Sequence, residues 1–208
     1  MQETNEVQTL SGWCSDRCRF LPALVAAALL SGCASAPPTD ETADAVLAGR
    51  YADALALQQA GELAGAGRQF GALASDYPER VEPRISLALV HAAAGEDDEA
   101  EALLEAVVAE FPASAVAWNE LGILRRRHGR LAEADEAYGR ALEADPNYAL
   151  AYRNRGILLD LYLGQPAEAL AHYRHYLELA GSDDEVDAWI TELELRVPAE
   201  DNEMVAER

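Results

Sequence analysis

Three prolines, Pro78, Pro112 and Pro146, stand 34 residues apart, and the residues ahead of each recur in one register. Ala66, Phe70 and Leu73 precede the first, Ala100, Leu104 and Val107 the second, and Ala134, Tyr138 and Ala141 the third. Gly61, Gly95 and Gly129 repeat at a further fixed offset. A period of this length means one supersecondary unit copied along the chain, each copy too small to bury its own apolar face. Within a unit the apolar and small residues are three and four apart, which is helical spacing. Composition agrees: 42 of the 208 residues are Ala, the strongest helix former, and aromatic residues make up only 7%. The expected fold class is all-α.

The third unit reads Ala115, Trp118, Leu121 and Gly122, then Gly129, Ala134, Tyr138, Ala141 and Pro146. It resembles the tetratricopeptide repeat (TPR), W-x-x-L-G-x-x-Y followed by A-x-x-x-F and P, with Arg125 where the pattern has an aromatic residue. A fourth unit carries Tyr152, Asn154, Gly156 and Leu159, then Gly164, Ala169, Tyr173 and Tyr176, with one extra residue in 160–163. The second keeps Leu87, Ala88, Gly95 and Ala100 but has Arg84 at the Trp position, and in the first only the second helix is well marked. The resemblance implies a right-handed superhelical solenoid of about four helix-turn-helix repeats. They would occupy about 47–80, 81–114, 115–148 and 149–183, a TPR domain over 47–183. The first (A) helices would line a concave groove.

Such an array leaves an apolar face at its end, which a cap must cover. Ser182, Asp183, Asp184 and Glu185 read as a capping box, and Val186, Trp189, Ile190, Leu193 and Val197 form a helical stripe. A capping helix is expected over 184–197. Residues 198–208 hold Pro198 and four acids and are expected to be disordered.

At the other end, Arg17 and Arg19 precede an apolar run from Phe20 to Leu30. Basic residues, a short apolar stretch and a small-residue exit form the plan of a secretory signal. Eleven residues at about 1.5 Å each reach about 16 Å, half of a hydrocarbon core of about 30 Å, so the run is too short to span. Leu30-Ser31-Gly32-Cys33 resembles the lipobox of bacterial lipoproteins. That resemblance implies cleavage of 1–32, lipid on the Cys33 thiol, and a flexible lipidated tether over 33–46. Ala34 after the Cys, rather than Asp, implies the periplasmic face of the outer membrane. No disulfide remains for the processed chain, because Cys14 and Cys18 leave with the signal.

Sixteen basic residues, all Arg, against 37 acidic ones give a net charge of −21. This argues against nucleic acid, where affinity comes from cations neutralising phosphates, and against an anionic membrane surface. Gly61, Gly65 and Gly67 lack the spacing and the Lys of a phosphate-binding loop. His172 and His175, three apart, make a weak metal pair without a third ligand and read as exposed helix residues. With no nucleophile arrangement, the expectation is a non-enzyme with no metal and no cofactor beyond the covalent lipid, and no small-molecule substrate.

The groove remains. The TPR resemblance implies that helix-A positions 2, 5, 9, 12 and 13 line it. These include Tyr51, Leu55, Ile85, Leu89, Asn119, Ile123, Arg126, Arg127, Arg153 and Ile157. Apolar contacts with an arginine cluster, inside so acidic a chain, point to a peptide that carries an acidic group. The expected role is an adaptor gripping a periplasmic or outer-membrane protein, similar to the pilotins of type IV pili or scaffolds of envelope enzymes. The alternative is an accessory subunit of a pilus, secretion, energy-transduction or polysaccharide-export system acting through its convex face.

Overall fold

The computed structural model describes residues 40–198. The predicted signal segment 1–32, Cys33, and residues 199–208 of the predicted tail lie outside the described residues. Among those described, nine helices and no strand occur. They are α1 (Asp40–Gln59), α2 (Leu63–Asp76), α3 (Glu82–Ala94), α4 (Asp97–Glu110), α5 (Ala115–Arg127), α6 (Leu131–Ala144), α7 (Ala149–Leu161), α8 (Pro166–Ala180) and α9 (Asp184–Arg196). Each packs mainly on its chain neighbours, and α5 also meets α7. The odd-numbered helices α1 to α7 are the A helices and the even-numbered ones the B helices.

The recurring sequence set is the core. Ala66, Phe70 and Leu73 of α2, Ala100, Leu104 and Val107 of α4, and Ala134, Tyr138 and Ala141 of α6 are all buried. In α8 the buried set is Ala169, Leu170, Tyr173 and Tyr176. Burial stabilises by roughly 25 cal/mol per Å² of apolar surface, so continuity of this stripe through four repeats is what holds the stack together. The period proline ends each B helix through its predecessor: Tyr77, Phe111 and Asp145 have ψ of 65°, 68° and 100°. The proline ring excludes the residue before it from the helical region.

Two glycines admit the large aromatic residues. A Cβ on Gly122 would lie 2.6 Å from Cε1 of Tyr138, and one on Gly156 would lie 2.6 Å from Cε1 of Tyr173. The A helix must therefore offer bare backbone where the B-helix ring lies flat against it. The turns between A and B helices need glycine for a different reason: Gly61, Gly95, Gly129 and Gly164 have φ of 78°, 81°, 74° and 64°.

Two boundaries differ from expectation. The tether expected over 33–46 is helical from Asp40, because α1 extends through residues 40–46 ahead of the packed stripe that starts at Leu47. Adding turns to an existing helix carries no nucleation cost. At the other end the N-cap is Asp183 and not Ser182. Its Oδ1 accepts from the backbone N–H of Glu185 (3.1 Å) and Val186 (3.2 Å), while Oδ2 accepts from the Tyr176 hydroxyl (2.9 Å). That third bond ties the cap to α8, which Ser182 does not do. Helix α9 then covers the last repeat with Val186 and Leu193, and Trp189 and Ile190 pack beside them.

Candidate functional site: the A-helix face

The A helices are tied to one another across the face they share. The hydroxyls of Tyr51 on α1 and Ser86 on α3 are 2.5 Å apart, and Asn154 on α7 donates to the Asn119 carbonyl on α5 at 2.8 Å. Each pair is separated by 35 residues, one more than the period, so a position of one A helix meets the position just after its equivalent in the next repeat, and the same offset recurs in both pairs. Asn119 is 1% exposed and also donates to Glu120. Burial raises the Glu120 carboxyl above its ordinary range, and that bond offsets part of the rise.

The predicted groove residues separate into distinct environments. Tyr51 and Leu55 line an apolar hollow of about 410 Å³ with Leu47, Ala48, Ala52 and Pro83. Ile85 is 6% exposed and belongs to the core between the second and third repeats, with Leu89 packed against it. Ile123 lies half-buried beside Tyr138 and Leu158. Ile157 lines a second pocket, of about 250 Å³, with Leu161, Tyr173 and Trp189. Ile85, Leu89 and Asn119 are thus mainly structural: Ile85 and Leu89 pack in the core that α3 shares with α4 and α5, and Asn119 is bonded across to α7.

The arginine run is divided as well. Arg125 reaches Glu101 (3.4 Å) and Glu105 (3.1 Å), and Arg130 also bonds Glu101. Burial acts to raise the Glu101 carboxyl, but the bonds from Arg130 and Arg125 outweigh it and hold it below the ordinary value. Arg127 donates to Asp97 at 3.1 Å, and His128 meets the same oxygen at 2.9 Å. The predicted convergence of Arg127 with the other groove arginines is therefore replaced by an ion pair to the preceding B helix. Arg126 alone of the run pairs with no carboxylate among the described residues. Its Nε donates to the Tyr138 hydroxyl at 3.4 Å, and its guanidinium stands 5.5 Å from the ring centre of Tyr162.

Arg153 is held similarly, 5.1 Å over Trp189, with Nη2 on Glu185 at 2.9 Å and a buried Nε that has no partner. Arg126 and Arg153 act on the same phenol. Burial pushes the Tyr173 hydroxyl far above its ordinary pKa, Asp160 pushes the same way, and Arg153 and Arg126 oppose them. Tyr162 and Trp189, the two ring platforms, are absent from the positions inferred from the repeat pattern. Tyr162 lies within 160–163, the stretch of the fourth unit that carries the extra residue, and is 48% exposed. Trp189 belongs to the cap, where the stripe marked it only as core.

His172 also departs from expectation. Its ring packs on Tyr152 with centroids 5.8 Å apart, and its Nε2 is buried without a partner. Burial lowers its pKa to about 4, with Arg155 adding to the effect. Among the described residues no three His, Cys, Asp or Glu side chains come together to hold a metal.

Models of the tetratricopeptide repeat match residues 81–124, 115–148 and 137–171. The chain carries tetratricopeptide repeats. Among solved structures, it is similar to PilF of Pseudomonas aeruginosa, with 19% identity and a TM-score of 0.65 over 74% of this chain and 69% of that one. A thermophilic TPR protein of Thermus thermophilus gives 22% identity and a TM-score of 0.60, over 72% and 82% of the two chains. The Yersinia enterocolitica type III secretion chaperone SycD, solved with a peptide of the translocator YopD, gives 20% and 0.51, over 55% and 92%. No curated protein matches the sequence. The all-α TPR solenoid is therefore the fold.

Proposed function

We propose that this TPR protein is an adaptor, anchored to the periplasmic face of the outer membrane through lipid on Cys33, that grips a segment of an envelope protein along its A helices. The observation that carries the reading is Arg126. In a chain of charge −21, a half-buried guanidinium is held by a phenol and an aromatic ring and left without a carboxylate. A carboxylate of a partner can bind there without an ion pair being broken first. A well-formed charge-assisted bond contributes about 1.5–3 kcal/mol, and the planar guanidinium takes a carboxylate by two parallel bonds. The adaptor would support assembly of an envelope complex.

The test is crosslinking in intact envelopes followed by identification of the trapped protein. Arg126→Glu with Arg153→Glu should abolish recovery of that protein while leaving helicity unchanged. Arg68→Glu with Arg140→Glu alters the net charge equally and should preserve recovery. Equal loss from both pairs would mean that overall charge, and not this face, carries binding. The anchor is tested separately: Cys33→Ala should block fatty-acid labelling, and label persisting on that variant would remove the lipoprotein reading.

A further inference from the structure

The hollow at the first two repeats differs from the rest of the A-helix face. Leu47, Ala48, Tyr51, Ala52 and Leu55 recur at helical spacing along one side of α1, and Pro83 at the start of α3 closes the other wall. The space exists because two small residues stand where larger ones would fill it. At the position of Ala48, the third and fourth repeats have Val116 and Leu150, both exposed. Its wall is fixed: Tyr51 is locked by the Ser86 hydroxyl at 2.5 Å and by an edge contact with Phe70 at 5.3 Å between ring centroids. At about 30 Å³ per water, 410 Å³ corresponds to roughly a dozen waters against a wall that gives them few hydrogen bonds. Displacing such water by an apolar group gains affinity.

The rim carries a sign. Asp44 is already paired with Arg80 at 2.6 Å, whereas Glu82 lines the hollow, is exposed, and pairs with no cation among the described residues. Its charge is uncompensated in an already acidic chain. An acidic neighbour of the entering side chain would be repelled here, and a basic one would meet Glu82.

We infer that the α1–α3 hollow binds an apolar side chain of a partner segment with Lys or Arg next to it in sequence. This rests on the adaptor reading and deepens it: a segment lying along the A helices meets an apolar, anion-rimmed pocket in the first two repeats and the ring-held Arg126 in the third. The partner segment is therefore bipolar, basic and apolar towards its α1 end and acidic towards its α5 end. Charge thereby fixes its direction on the face as well as its presence.

The probe is a library of random dodecapeptides displayed on phage and selected on the immobilised full chain. Selected sequences should be enriched in a large apolar residue beside Lys or Arg. A labelled synthetic copy should bind about tenfold or more weakly to Ala52→Phe, which fills the hollow from an exposed helix position, and likewise to Ala48→Leu. Glu82→Arg should shift the selection from basic to acidic neighbours of the apolar residue. Full binding to both filling variants, selection of acidic neighbours by the unaltered chain, or no enrichment at all would each overturn the proposal. Peptides that lose binding with Arg126→Glu but keep it with both filling variants would overturn the hollow and leave the adaptor reading standing. Peptides indifferent to all of these changes would remove both.

Discussion

The guanidinium of Arg126 stands 5.5 Å from the ring centre of Tyr162, on the exposed side of the one repeat that carries an extra residue. A cation over an aromatic face contributes about 0.5–2 kcal/mol, more as water is excluded. Tyr162→Leu keeps an apolar side chain but removes the quadrupole and loosens Arg126. Partner binding should weaken by about two- to thirtyfold, less than with Arg126→Glu, when measured as affinity for the segment identified by crosslinking. Unchanged affinity would mean that Tyr162 is only a neighbour.

Gly122→Ala and Gly156→Ala should each destabilise the fold by about 1–3 kcal/mol in urea unfolding, because a methyl at 2.6 Å from a buried tyrosine ring forces the helices apart. Combining Gly122→Ala with Tyr138→Leu should cost less than the sum of the two changes, since the smaller side chain makes room. Gly71→Ala is the opposite case. Gly71 lies inside α2 with open space for 4 Å around the position a methyl would take, and the change should stabilise by about 0.5–1 kcal/mol.

His172 ties stability to pH. Its folded pKa of about 4 lies below the ordinary 6.5, so between those values the unfolded chain binds a proton that the folded chain does not. Stability due to this group is complete above about pH 6.5 and is lost as pH falls towards 4, with a slope of at most about 1.4 kcal/mol per pH unit. His172→Gln should flatten that part of the curve in thermal melts compared at pH 6.5 and 4.5. Parallel curves for the two proteins would exclude the linkage.

Removing residues 183–208 should uncover Leu170, Tyr173 and Tyr176 and cause association in gel filtration. Ending the chain after Pro198 keeps α9 and every described contact of the cap, and should leave the protein at its original size. If both truncated proteins elute alike, α9 is not the cover of the last repeat.

The repeat period was legible because the same contacts recur every 34 residues, and burial of Phe70, Leu104 and Tyr138 demands the same residue class each time. The candidate site was legible only in part. Tyr51, Leu55 and Ile157 do line hollows, but Ile85 is buried in the core with α4 and α5, and Asn119 where α5 meets α7, which no single repeat reveals.

The helices, their pairing, the turn glycines and the need for a cap follow from residue order alone, since these depend on contacts within a repeat or between like repeats. Tertiary structure decided the fate of the charges. Successive residues of a helix point about 100° apart. Arg125, Arg126 and Arg127 therefore face three directions, towards Glu101, Tyr138 and Asp97. Those partners lie 12 to 30 residues away on other helices, so only the packing of α4 and α6 against α5 left Arg126 available.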